Sequence, residues 1–150
     1  PAPEPTPTPS TEAPAFATLE EAQAAAEEAY GKYLETAFSI LKDGGERPER
    51  LKPFVSDDIY QRELIGFESL DEGTHGTGNV AFELTVQRLS VSSITAYVCE
   101  DYRGSDVVDA NGNSIASSDR LSTLSLEVTF APDDALKITR KDLWGGGDEC

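Results

Sequence analysis

The first half of the chain carries apolar side chains at helical spacing. Between residues 19 and 42 they recur every three or four positions, which predicts an amphipathic helix over about Leu19–Lys42. Thr18 and Glu21 have the spacing of a capping box, which marks the helix start, and Gly44 and Gly45 mark its end. The predicted buried stripe comprises Ala22, Ala26, Ala29, Tyr30, Tyr33, Ala37, Phe38 and Leu41.

Two shorter helices are predicted after it. Proline is tolerated in a first turn, so a short helix can span Pro48–Phe54. Ser56 is a preferred N-cap residue, and the two aspartates that follow it favour the positive end of a third helix. The apolar side of that helix comprises Ile59, Tyr60, Leu64, Phe67 and Leu70. The segment Asp71–Gly78 contains three glycines and is predicted to be a loop.

From residue 80 the hydrophobic period changes to two. Apolar and polar side chains alternate over residues 80–87, 93–102 and 124–130, and again from 136 towards 144, which predicts four strands. Asn111 and Gly112 form a hairpin signal between two of them. Helices followed by strands predict an α+β fold, with three N-terminal helices packed on a curved, cone-like four-stranded antiparallel sheet. We assign this single domain to residues 18–150.

The charge balance restricts the classes of partner. The chain has 12 basic and 28 acidic residues, a formal net charge of −16. Nucleic acids and anionic lipid head groups both require a basic face, so neither is an expected partner. No stretch of 18 apolar residues suggests a transmembrane helix. Methionine is absent even at position 1, which is expected of a processed chain whose leader has been removed.

The N-terminal segment has a different composition from the rest. Six of the nine prolines fall within the first fourteen residues, among Thr, Ala and Glu. Closely spaced prolines hold a backbone extended, so residues 1–17 are predicted to be a flexible tether between a membrane-attached N-terminus and the domain. The alternative is a disordered tail whose only effect is to extend the reach of the domain.

The two cysteines, Cys99 and Cys150, are predicted to form a disulfide. They lie 51 positions apart, and neither a CxxC motif nor a nearby histidine indicates a zinc site. Paired cysteines would place the domain in an oxidising, extracytoplasmic compartment. The alternative is a pair of free thiols in a cytosolic protein.

Other motifs indicate neither a metal nor a cofactor. Asp109–Asn113 has oxygen side chains at alternate positions, but its glycine and the twelfth residue, Arg120, do not fit an EF-hand. The glycine-rich segment around His75 follows a helix and lacks the lysine of a P-loop. No nucleophile with a neighbouring base is recognisable, so no catalytic residue is assigned.

One set of polar residues is a candidate binding rim. On two predicted strands, the alternate positions that carry apolar side chains carry charged or aromatic side chains towards one end. These side chains would lie on the helix side of the sheet, beyond the last aliphatic residue. Such groups must be paired, solvated or bound. The alternative is a purely structural cluster that closes the cone. The predicted rim comprises Glu100, Tyr102, Arg140, Asp142 and Trp144.

The order of elements resembles the nuclear transport factor two-like superfamily over about Leu19–Trp144. The spacer, the segments Val98–Tyr102, Asp106–Asn113 and Asp142–Gly145, and the terminal Cys150 also resemble secreted lipoproteins of high-GC Gram-positive bacteria. That second resemblance implies a lipid-bearing cysteine ahead of residue 1. The superfamily includes isomerases, dehydratases and cyclases, and if a pocket exists the resemblance implies these lining candidates: Tyr30, Tyr33, Tyr97, Glu100, Tyr102 and Asp142.

Two functions are therefore weighed. The first is a non-catalytic extracytoplasmic domain, membrane-tethered, that contacts another envelope or membrane protein. The second is a small acid–base enzyme acting on an apolar molecule. A cavity of at least about 300 Å³ holding a carboxyl group with a raised pKa would favour the enzyme, whereas a closed core would exclude it.

Overall fold

A computed structural model describes residues 16–132, 135–145 and 150 of the chain. Its long first helix, α1 (Leu19–Lys42), has the predicted bounds. The Thr18 hydroxyl accepts a hydrogen bond from the Glu21 amide at 3.1 Å, which satisfies one of the free N–H groups of the first turn. Gly44 and Gly45 follow with φ angles of 74° and 87°, and glycine adopts these values without steric cost.

The predicted tether, residues 1–17, lies outside the described residues except for its last two. Phe16 packs against the hydrophobic core. The Ala17 amide donates to the Glu21 carboxylate at 3.1 Å. Contacts with the domain therefore include Phe16 and Ala17, both of which lie before the predicted boundary at residue 18.

The next two helices also lie where the sequence predicts them. The first, Pro48–Phe54, is a 3-10 helix with proline in its first turn. The second, α2 (Asp57–Glu68), is capped by Ser56, whose hydroxyl accepts from the Ile59 amide at 3.4 Å. Among the described residues, no helix is both long and apolar enough to cross a bilayer.

The main sheet has four antiparallel strands: β2 (Ala81–Leu89), β3 (Ile94–Asp101), β5 (Thr123–Ala131) and β6 (Lys137–Leu143). They are neighbours in that order, which confirms the α+β fold. The central strands β3 and β5 carry the fully buried Ile94, Ala96, Val128 and Phe130. They meet the buried face of α1, so the core lies between this helix and one face of the sheet.

The prediction of a loop over Asp71–Gly78 was wrong in its last four residues. His75–Gly78 forms strand β1, which pairs antiparallel with β4 (Ser105–Val108) in a separate two-stranded sheet. Gly76 lies so close to α1 that a Cβ there would be 3.0 Å from the Leu41 side chain. A strand in this position needs small residues. Because glycine has a low propensity for strands, the sequence of this segment does not predict β1.

We expect Gly78→Ala to destabilise the protein by about 1–3 kcal/mol. Gly78 has a φ of 80°, and a Cβ at this position would lie 2.0 Å from the carbonyl oxygen of Gly104, the residue before the paired strand β4. Gly66→Ala is the matched control, because nothing lies within 4 Å of that Cβ and Gly66 is in α2. The control should gain about 0.5–1 kcal/mol from helix propensity. Denaturant unfolding measures both, and equal stability of the two variants would contradict this account of β1.

A β-bulge in β6 changes which side chains face the core. Ile138 pairs with Phe130, but Arg140 pairs with Thr129, so Thr139 is an extra residue in the ladder. Beyond it the parity is reversed: Lys141 pairs with the buried Val128 and therefore points to the helix side.

The predicted orientation of the rim was consequently wrong for three residues. Arg140, Asp142 and Trp144 lie on the outer face of the sheet, opposite to the helices, because the bulge at Thr139 precedes them. Glu100 and Tyr102 lie at the helix side, as their parity predicts.

Cys99 and Cys150 form a disulfide with an S–S distance of 2.02 Å. Cys99 lies on the outer face of β3, beside Ser125 of β5. The Trp144 amide donates to the Ser125 carbonyl at 2.8 Å, and the Cys150 amide donates to the Thr123 hydroxyl at 3.0 Å. Both ends of the C-terminal tail are therefore fixed to the outer face of β5.

Candidate functional site

Among the described residues, the most buried charged side chain is Glu100, which is 1% exposed. One of its carboxylate oxygens accepts hydrogen bonds from the Tyr30 hydroxyl of α1, and the other accepts from the Tyr102 hydroxyl. The Lys141 ammonium lies 3.3 Å from the first oxygen. A buried carboxylate is tolerated only when it is paired and hydrogen-bonded, and both conditions are met here.

The same network continues to α2 through Lys141. Its ammonium donates to the Tyr33 hydroxyl at 3.0 Å, and the Tyr33 hydroxyl donates to a Glu63 oxygen at 2.8 Å. The ammonium also lies 5.0 Å from the centre of the Tyr33 ring, a favourable cation–π distance. We call this set the inner network: Tyr30, Tyr33, Glu63, Glu100, Tyr102 and Lys141.

Sequence analysis missed Glu63 and Lys141. Glu63 belongs to the predicted third helix, where one carboxylate among many solvated ones gives no signal. Simple alternation from Ile138 would place Lys141 on the outer face of the sheet, and only the bulge at Thr139 turns it to the helix side. Two of the five predicted rim residues, Glu100 and Tyr102, belong to the inner network, but the counter-ion of Glu100 was not identified.

Burial and charge hold the phenols of the inner network in their neutral form. Burial, together with the charge of Glu100, raises the pKa of Tyr30 well above its usual 10.0. Burial raises the pKa of Tyr33 in the same way, with Glu63 and Glu100 adding to the effect. Burial followed by Glu100 likewise raises the pKa of Tyr102. Each phenol is thus a donor to a carboxylate over the whole neutral range.

We expect the protein to lose stability steeply above pH 10. The three phenols stay protonated in the folded state, so their contribution to the free energy of unfolding is complete below the unfolded-state pKa of about 10 and declines as the pH rises above it. Phenolate absorbance and near-ultraviolet circular dichroism, followed together, measure this. Three of the five tyrosines should ionise only as the dichroism is lost. Ionisation of all five in a single step near pH 10, with the fold intact, would contradict the inner network.

A cavity of about 300 Å³ opens beside the inner network. Glu100 itself lies behind it, covered by Tyr102 and Lys141, which do line the cavity. The apolar walls are formed by side chains of α1, α2, β4 and the residue before β2: Leu34, Ala37, Phe38, Leu41, Phe67, Val107 and Val80. The polar lining comprises Tyr33, Glu63, Tyr102, Ser105, Arg120 and Lys141. The volume is at the lower end of the range for ligand pockets.

The outer face of the sheet carries a second candidate surface. The rings of Tyr97 and Trp144 lie 4.4 Å apart between centroids, and Trp144 is 45% exposed. The Arg140 guanidinium donates to the Asp142 carboxylate at 2.6 Å on the same face. Glu127 of β5 pairs with both Tyr97 and Asp142 in the ladder. We call these five residues the outer patch.

In the two loop motifs, side chains form hydrogen bonds with the backbone of their own loop. One oxygen of Asp109 accepts from the amides of Asn111 and Asn113 at 2.9 and 3.0 Å, as in an Asx turn. The His75 ring is hydrogen-bonded to the Gly73 carbonyl at 2.9 Å. Within the described ranges, no group of three or more His, Cys, Asp or Glu side chains is arranged to hold a metal ion.

Comparison with known proteins identifies the fold but not a family. No family model and no curated protein matches the sequence. The structure is similar to the intermembrane space region of the chloroplast protein ARC6, with a TM-score of 0.58. The match covers 81% of this chain and 95% of the ARC6 region, at 15% sequence identity. At that identity the likeness shows a shared α+β architecture.

Proposed function

We propose that this protein is a non-catalytic, extracytoplasmic binding domain that docks another envelope protein through the outer patch. The observation that carries the proposal is Trp144, a large aromatic side chain left 45% exposed on a sheet face and held against Tyr97. Trp, Tyr and Arg are the residues most enriched among interface hot spots. The outer patch contains all three.

The geometry of the tail supports a fixed surface. Trp144 is held at its amide by Ser125, and the chain after it is anchored at Cys150 by the disulfide. A rigid aromatic loses little conformational entropy when a partner covers it. The ion pair of Arg140 and Asp142 is exposed and contributes little to folding, so it is available for a partner.

Two observations support the extracytoplasmic location. Disulfides persist in oxidising compartments and are rare in the cytosol. The similar ARC6 region also lies in an intermembrane space. The tether at residues 1–17 and a lipid anchor ahead of it, which the resemblance to Gram-positive lipoproteins implies, would hold the domain at the outer face of the cytoplasmic membrane. Membership of the nuclear transport factor two-like superfamily is part of the same proposal.

The acid–base enzyme is the second candidate, favoured by the cavity of about 300 Å³ and its phenols. The bonding of Glu100 disfavours it. Both carboxylate oxygens already accept hydrogen bonds, and Tyr102 and Lys141 separate them from the cavity. A general base must reach the proton it removes, so Glu100 would first have to leave its partners.

The experiment is capture of a partner from the solubilised envelope of the source organism. The immobilised wild-type chain should retain one protein at near-equal stoichiometry. Trp144→Ala should weaken that binding about 30-fold or more, as expected for a hot spot of 2 kcal/mol. Ile65→Ala is the control, because Ile65 is 70% exposed on α2, away from the outer patch.

Asp142→Asn tests the charged part of the outer patch without altering its shape. It should weaken capture while the melting temperature stays within about 4 °C, since an exposed ion pair contributes at most about 1 kcal/mol. Equal capture by wild type, Trp144→Ala and Asp142→Asn would reject the outer patch as the docking surface.

A further inference from the structure

We propose that the inner cavity is a binding site for a small amphipathic carboxylate, separate from the outer patch. The molecule would have an apolar body and one carboxylate head. The lining has both characters: seven aliphatic or aromatic apolar side chains, together with polar groups that include Lys141 and Arg120.

The sign of the head group follows from the charges of the lining. The chain as a whole has 28 acidic and 12 basic residues, yet the cavity is lined by two cations, Lys141 and Arg120, and one carboxylate, Glu63. Glu63 already accepts from Tyr33. Glu100 offsets the charge of Lys141 from behind the cavity, so Arg120, which donates to the Ser105 carbonyl, is the lining cation that attracts an anion.

Both cations retain donors for a ligand. Lys141 has three N–H donors, of which the structure directs one at the Tyr33 hydroxyl and one at Glu100. Arg120 has five donors, and one of its terminal nitrogens donates to the Ser105 carbonyl at 2.8 Å. That bond fixes the guanidinium at the cavity wall, where its fork geometry suits a carboxylate.

The size of the molecule follows from the volume. A cavity of about 300 Å³ equals the liquid volume of about ten water molecules, so the ligand has on the order of ten non-hydrogen atoms. Octanoate has this size and an apolar body that matches the walls. Octanamide has the same shape without the charge, so the pair of probes isolates recognition of the anion.

The experiment is an amide-resolved NMR titration of the full chain with octanoate and with octanamide, each below its aggregation concentration. Octanoate should shift the amides of cavity-lining residues such as Ala37 and Val107 and should bind about tenfold more tightly than octanamide. Arg120→Gln should remove about that factor, because a hydrogen bond to a charged group has roughly this strength. Arg88→Gln is the control, since Arg88 is exposed on β2 and does not line the cavity.

Val107→Phe, which fills the cavity from β4, should abolish binding of both probes. Equal affinities for octanoate and octanamide, an unchanged affinity in Arg120→Gln, or no shifts at millimolar octanoate would each overturn the proposal. Trp144→Ala should leave octanoate binding unchanged, and Val107→Phe should leave partner capture unchanged. The two proposals therefore fail independently.

Discussion

Lys141→Met should unfold about 10 °C or more below the wild type, corresponding to a loss of roughly 3–5 kcal/mol. The ammonium is the only cation that the described structure places against the buried Glu100, at 3.3 Å, and its side chain is itself only 16% exposed. Removing it leaves a carboxylate that is 1% exposed without a counter-charge. The cost arises mainly from that unpaired charge and not from the lost attraction.

Two further variants separate charge from packing. Lys32→Met removes a lysine from an exposed pair with Glu28, with both side chains more than 60% exposed, and should change stability by less than about 0.5 kcal/mol. The double variant Glu100→Gln/Lys141→Met should recover a large part of the loss, since the buried charge is gone. A Lys141→Met protein that melts within about 2 °C of the wild type would contradict the pairing.

Reduction of the disulfide should lower the free energy of unfolding by about 2–4 kcal/mol without abolishing the fold. The bond closes a loop of 51 positions, which restricts the unfolded chain. The core of Ile94, Val128 and Phe130 does not depend on the tail, so the reduced domain should still unfold cooperatively.

The same reduction should expose Trp144. It is the single tryptophan of the chain, so its fluorescence reports on the outer patch alone. Without the disulfide, the described contacts that hold the tail are the bonds from the Trp144 amide to Ser125 and from the Cys150 amide to Thr123, and the contact of Trp144 with the Tyr97 ring. Quenching of Trp144 by a soluble quencher should therefore increase on reduction, while Cys99→Ala/Cys150→Ala should show the increase with or without reductant. Unchanged quenching of the wild type would mean that the disulfide does not order the patch.

Local signals in the sequence were sufficient for the helices. Thr18, Ser56 and Gly44 act through their own backbone within one turn, so their effect does not depend on the rest of the fold. The long strands were equally recognisable, since alternation over eight or nine residues reflects one buried face. The α+β architecture followed from these two patterns.

The elements that sequence analysis missed depend on distant parts of the chain. Strand β1 is held by its pairing with β4 and by the closeness of Gly76 to α1, and neither appears in the local pattern. The bulge at Thr139 is defined only relative to β5. It exchanges the faces of Lys141 and Asp142, so the predicted rim divides into an inner network and an outer patch.

The central claim is that the outer patch is the docking surface. A photo-cross-linking residue placed at Glu127, between Tyr97 and Asp142 in the ladder, tests it in the native envelope, with the same residue at Ile65 of α2 as control. The account predicts a cross-link to one envelope protein from position 127 and none to that protein from position 65. Cross-linking to the partner from position 65 alone, or from neither position, would contradict it.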